Sequence, residues 1–226
     1  MMSFPPCSDK EVLELLLPAG AALLSLGVCL PLFMYYKRSL QPVMGAMFKS
    51  LGTACALVIA LVAALRIDPR CFVCVAALAL HMTADYALEF SFPAGVGLFL
   101  AGHVFYIAYF CRVFSLTASH ALCLLGFLFI LALFLYRCRK AAGKQLPLFI
   151  FYGIVLCLLT ACAVGGGIFS HTTGGMLAAV GASLFFFSDA LLLYRILYPV
   201  HPLISWIIMI TYYLGQILMA SSCLFL

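Results

Sequence analysis

The sequence predicts an all-α fold, a polytopic transmembrane helical bundle of about eight spans that forms a single domain over residues 1–226. Three observations carry this. The chain is 67% hydrophobic and only 8% charged, whereas a soluble domain is about a quarter charged and under half apolar. A water-soluble fold cannot hide that much apolar surface, so the solvent is largely lipid. In lipid every backbone N–H and C=O needs an internal partner, which leaves helices or a closed barrel. The apolar runs approach ~20 residues without alternating, which selects helices.

The spans follow in order. The first, 12–35, lacks a basic leader and a clear cleavage site, so it reads as a membrane span rather than a signal peptide. Lys37 and Arg38 close it. The second, 43–65, stops at the turn from Arg66 to Arg70, and the third, 71–90, stops at Ser91-Phe92-Pro93. The fourth is 93–114. The fifth, 117–136, runs into the basic stretch Arg137 to Lys144. The sixth, 147–166, leads into a glycine-rich connection from Gly165 to Gly175, which lacks the GxxxxGK[ST] pattern of a phosphate-binding loop. The seventh, 174–197, and eighth, 202–225, are separated by Pro199 to Pro202.

The basic residues sit at span ends, so the net charge of +5 points to membrane orientation rather than to nucleic acid. Loops after the odd-numbered spans hold Lys37, Arg38, Arg137, Arg139, Lys140, Lys144 and Arg195. The other side holds Lys10, Arg66, Arg70 and Arg112. The excess places the odd-numbered loops in the cytoplasm and both termini outside. The 11 cysteines lie mostly within spans and behave as small hydrophobes. Cys71 and Cys74 form a CxxC with no second pair, too little for a zinc or redox motif.

An ionisable group inside a span is costly and therefore a functional candidate. Span two carries Lys49. Span three carries His81, Asp85 and Glu89 at i, i+4 and i+8, on one helix face. Span four carries His103 and Tyr106, span six Tyr152, span seven Ser188 and Asp189, and span eight Tyr212, Tyr213 and Gln216. Because spans alternate direction, position along each converts to depth below the face bearing the odd-numbered loops. Lys49, Asp85, His103, Tyr152, Asp189 and Tyr212 lie about five to ten residues in, roughly 8–15 Å below that face at ~1.5 Å per residue. Six groups from six helices thus share one half of the membrane, as a polar pocket opening toward one leaflet requires.

Structural roles stand beside the functional ones. His81 can bond a neighbouring carbonyl, Glu89 can snorkel, and Lys49 can serve as a counter-ion between helices. Tyr212 and Tyr213 can be packing residues. His120 and His201 lie at span ends, and Phe185, Phe186 and Phe187 read as core. The two aspartates differ, since buried carboxylates need partners and a single buried lysine is available.

These residues carry a family likeness. Span three reads His81-Met-Thr-Ala-Asp85-Tyr-Ala-Leu88, and span four reads Phe99-Leu-Ala-Gly-His103-Val-Phe-Tyr106. Span six opens Tyr152-Gly153, span seven contains Ser188-Asp189, and span eight contains Thr211-Tyr212-Tyr213-Leu-Gly-Gln216. In order and spacing the set resembles the YhhN family, whose characterised members are lysoplasmalogenases. The likeness runs from span two onward. Lys49 matches a family lysine, although Ser50 stands where proline commonly follows, and Ala84 stands where glycine commonly precedes the aspartate.

The resemblance implies hydrolysis of the alkenyl ether of a lysophospholipid, a lysoplasmalogen, to a fatty aldehyde and a glycerophospho-base, with no cofactor or metal. Vinyl ethers are activated by protonation at carbon, which leaves an oxocarbenium ion for water to attack. A general acid and a general base serve that chemistry, as paired carboxyls do in glycosidases. Burial away from water favours a carboxyl that stays protonated near neutral pH. Asp85 and Asp189 are the expected pair, their individual roles open. Lys49 would orient one of them or bind the phosphate, and His81, His103, Tyr106 and Ser188 would support the site. Tyr152, Tyr212, Tyr213 and Gln216 would line the pocket, the tyrosine faces suiting a choline head.

Two other readings use the same residues. In a zinc-dependent membrane lipid hydrolase, His81, Asp85, His103 and Asp189 would be ligands, though the HxxxH spacing is missing. A lipid-binding or transport protein without chemistry would favour a midplane site and an internal repeat, which the sequence does not show.

Overall fold

Proline and hydroxyl residues mark where helices begin. The computed structural model describes residues 12–226, so Lys10, counted in the charge balance above, lies outside the described residues. Among these residues all regular structure is helical. Helix α1 is Leu13–Arg38. It is followed by α2 (Pro42–Arg66), α3 (Phe72–Leu88), α4 (Phe92–Val113) and α5 (Ala118–Ala142). Then come α6 (Leu146–Ser170), α7 (Thr173–Leu197) and α8 (Leu203–Ser221).

Proline occupies the first or second position of α2, α4 and α6, where its missing N–H has no intrahelical partner to lose. Thr117 opens α5 in a capping box with His120, whose Nδ1 accepts from the Thr117 N–H at 3.1 Å. His120, which the sequence places at a span end, is therefore a buried cap. Thr172 caps α7 by accepting from the Gly175 N–H at 3.1 Å.

Among the described residues, seven helical stretches are long and apolar enough to cross a membrane. The longest, Ala118–Ser170, has 53 residues, which would extend roughly 80 Å at ~1.5 Å per residue, far beyond a bilayer. It breaks at Gly143, whose φ of 51° and ψ of −125° suit a residue without Cβ. Its two halves return alongside each other, Gly153 against Leu131 and Gly165 against His120. This stretch therefore supplies two antiparallel helices, and eight helices of crossing length result among the described residues.

Two boundaries differ from the sequence expectation. The basic stretch after residue 136 continues α5 to Ala142, because lysine and arginine are good helix formers and are favoured in a last turn. The glycine-rich stretch continues α6 to Ser170. There Gly165 and Gly166 lie flat against His120 and Phe114, and Gly167 against Gly175, so close packing outweighs low helix propensity.

Six helices close a ring in which α2 packs on α3, α3 on α4, α4 on α6, α6 on α7, α7 on α8, and α8 on α2. Helix α1 docks outside this ring against α2, with Leu30, Phe33 and Met34 buried in the core. Helix α5 docks outside against α6. The α7–α8 crossing is backbone on backbone, since a Cβ on Gly181 would stand 2.8 Å from the Met219 nitrogen.

Candidate active site

The polar side chains singled out in the sequence all belong to the six ring helices, which is why they meet. On α2, Lys49 and Thr53 are one turn apart. On α3, Asp85 lies one turn before Glu89, the residue that caps the helix end. Asp85 is fully buried. Its Oδ2 accepts from the Thr53 hydroxyl and, at 2.8 Å, from the Tyr212 hydroxyl of α8. Its Oδ1 has no hydrogen-bond donor and faces the Lys49 ammonium at 3.6 Å. One carboxylate thus draws two hydroxyls and a cation from α2 and α8.

Asp189 on α7 is placed differently. The Tyr152 hydroxyl of α6 donates to its Oδ2 at 2.6 Å. No lysine or arginine among the described residues lies within ion-pair distance of it. Asp85, Asp189, Tyr152, Ser188, Tyr212 and Lys49 all border one cavity of about 330 Å³. The Ser188 hydroxyl donates to the Ile208 carbonyl at 2.9 Å, tying α7 to α8 at the cavity wall.

The cavity has a polar mouth and a long apolar wall. At the mouth stand Lys37, Glu89, Arg195 and Ser205, all near the end where α1, α3 and α7 finish and α8 begins. Glu89 accepts from Lys37 at 3.1 and 3.2 Å and from Lys49 at 3.4 Å. The wall includes Val96 of α4, Ile130 and Phe134 of α5, and Phe149 of α6. A site of this composition takes an amphiphile with a charged head and one hydrocarbon chain.

The remaining candidates lie behind the cavity. The Tyr106 hydroxyl donates to Gln216 Oε1 at 2.8 Å, and Gln216 Nε2 donates to His81 Nδ1 at 2.7 Å. This chain links α4, α8 and α3 with all three side chains fully buried. Gly102 leaves room for the His81 ring, which a Cβ there would strike. His103 has neither ring nitrogen hydrogen-bonded and packs edge-on against His81 and Tyr152 at 5.1 and 5.2 Å between ring centres. Tyr213 donates to the Lys49 carbonyl at 2.9 Å and lies over Gly52. These five residues brace the helices that carry the aspartates and do not border the cavity. Ser50, at the position where proline is common, donates to the Met82 carbonyl at 2.9 Å and joins α2 to α3.

Sequence reasoning missed Thr53 and the mouth residues Lys37, Arg195 and Ser205, and it read Glu89 as a snorkelling side chain. Thr53 sits one turn below Lys49 on the same face, a signal present in the sequence. No three His, Cys, Asp or Glu side chains converge on a metal-binding geometry among the described residues. Asp85 is turned to Thr53 and Tyr212, and Asp189 to Tyr152, so the four ligands of the zinc reading do not face a common point.

Comparison with known proteins gives one positive result. A model of the YhhN family matches residues 44–223, which runs from the start of α2 to the end of α8 and includes Lys49, Asp85, Tyr152, Asp189 and Tyr212. No curated protein and no solved structure matched the chain.

Proposed function

We propose, from the premise that this chain belongs to the YhhN family, that it is an intramembrane hydrolase cleaving the vinyl ether of a lysoplasmalogen. The supporting observation is that two carboxyls face one buried cavity in unequal surroundings. Asp85 has two hydroxyl donors and an ammonium neighbour, which suits a charged carboxylate. Asp189 has one hydroxyl donor and no cation, which suits a carboxyl holding a proton. The sequence left the roles open, and this asymmetry supports Asp189 as the acid and Asp85 as the base.

The steps balance with these two groups alone. Asp189 gives its proton to the vinyl carbon remote from the ether oxygen, leaving an oxocarbenium ion. The Asp85 carboxylate stabilises that cation and takes a proton from the water that adds, giving a hemiacetal. Asp189 then accepts the hemiacetal hydroxyl proton while Asp85 returns its own to the glycerol oxygen. The carbon–oxygen bond breaks, an aldehyde leaves, and both carboxyls return to their starting states. Lys49, 3.6 Å from Asp85, is the cation beside that carboxylate.

The test is aldehyde release from lysoplasmenylcholine or lysoplasmenylethanolamine by purified protein, beside Asp85→Asn and Asp189→Asn. Each variant should fold and lose about 10²- to 10⁴-fold in rate, the usual worth of a positioned acid or base. Lipid binding without aldehyde release from the wild type would instead favour a binding or transport role.

A further inference from the structure

The cavity lining holds three cations, and the proposed chemistry leaves one of them without a paired carboxylate. Lys37, Lys49 and Arg195 all border the cavity, as do Asp85, Glu89 and Asp189. Lys37 and Lys49 are shared by Glu89, and Lys49 also faces Asp85. Arg195 pairs with no carboxylate among the described residues, and one of its N–H groups donates to the Ser205 hydroxyl at 3.0 Å. That bond fixes the guanidinium between α7 and α8 and leaves its other donors free to face the cavity. With Asp189 holding the proton, the lining carries one positive charge in excess.

We propose that Arg195, supported by Lys37, binds the phosphodiester of a single-chain glycerophospholipid and thereby sets the register of the lipid. The inference rests on the hydrolase reading for its charge count. Position supports it as well as charge. Arg195 lies six residues beyond Asp189 on the same helix, a rise of roughly 9 Å at ~1.5 Å per residue. The phosphate and the sn-1 ether of one lysophospholipid are only a few bonds apart, so a lipid whose phosphate meets Arg195 keeps its ether within the cavity that Asp189 also borders. A phosphate held at Arg195 puts the ether at the two aspartates and the chain along Ile130, Phe134 and Phe149. Guanidinium recognises phosphate through paired N–H donors, and a site made for it discriminates against lipids that lack the group. The site therefore selects lysophospholipids over alkenyl or alkyl glycerols.

Binding tests this without relying on turnover. The probes are a saturated 1-alkyl lysophosphocholine, which has no vinyl ether to cleave, and the matching 1-alkylglycerol, both measured against purified full-length protein in detergent. The wild type should bind the phospholipid at least tenfold more tightly than the alkylglycerol. Arg195→Gln should bring that ratio close to one, and Arg195→Lys should restore part of it. If Arg195→Gln does not fold, the Arg195→Lys ratio carries the comparison and should fall several-fold. A wild-type ratio near one, or a ratio unchanged in the variants, overturns the proposal. Inorganic phosphate alone should stabilise the wild type no more than Arg195→Gln; stabilisation by free phosphate equal to that by the lipid would reassign the site to a soluble anion and overturn the lipid assignment. Failure of aldehyde release with this binding pattern intact would remove the hydrolase and leave the phosphate site.

Discussion

The two aspartates were legible in the sequence for a reason that does not extend to their partners. A carboxylate inside a span is costly enough that its presence calls for a role. A threonine is not, because its hydroxyl bonds its own helix backbone, as Thr160 does to the Leu156 carbonyl and Thr211 to the Ile207 carbonyl. Thr53 instead turns to Asp85, and nothing in its residue type distinguishes it from the other two. His81 and His103, expected to support the site, lie behind the pocket and pack against each other there. The same reasoning gives a test of the charged state assigned to Asp85. A hydrogen bond to a charged group is worth about 1.5–3 kcal/mol, so Thr53→Val and Tyr212→Phe should each slow aldehyde release about 10- to 100-fold. The loss should fall on kcat with the protein still folded. Loss confined to KM would assign these hydroxyls to substrate binding instead.

At the scale of helices, apolar runs set the count and proline set several of the starts, but two ends were misplaced. Basic residues after 136 and glycines after 164 are read as loops when propensity and charge are the guides. In the folded chain the first group is the last turn of α5 and the second is a flat face of α6. Contacts that exist only after folding decide both. The true break is the single residue Gly143, with φ of 51° and nothing beyond its chain neighbours within 4 Å of where a Cβ would stand. Space is therefore not limiting there and backbone conformation is. Gly143→Val should destabilise the α5–α6 hairpin by about 1–3 kcal/mol through strain alone. Thermal unfolding in detergent measures this; an unchanged midpoint would mean that the connection adopts another turn without cost.

At the scale of the molecule, the shared depth of the polar residues and the ring of six helices have one cause. The polar residues lie at similar depth because α2, α3, α4, α6, α7 and α8 face one another, and the cavity opens at the end where the odd-numbered connections lie. Helices α1 and α5 carried no deep charged residue in the sequence, and both sit outside the ring. Their contribution, the Lys37 end of α1 and the apolar wall of α5, was not legible because a span-end lysine and a run of leucine and phenylalanine look alike in any membrane helix. An even number of crossings places residue 12 and residue 226 on the same side of the membrane. Tags added at both ends should be protected or cleaved together when sealed vesicles are treated with protease. Protection of one end and cleavage of the other would mean an odd number of crossings and would break the α5–α6 hairpin assignment.

The central claim is that a buried carboxyl protonates carbon, and running the aldehyde assay in D₂O tests it most directly. The account predicts a fatty aldehyde with one deuterium on the carbon next to the carbonyl, formed by the wild type and lost with Asp189→Asn. An aldehyde formed without that deuterium, or formed equally well by Asp189→Asn, would contradict it.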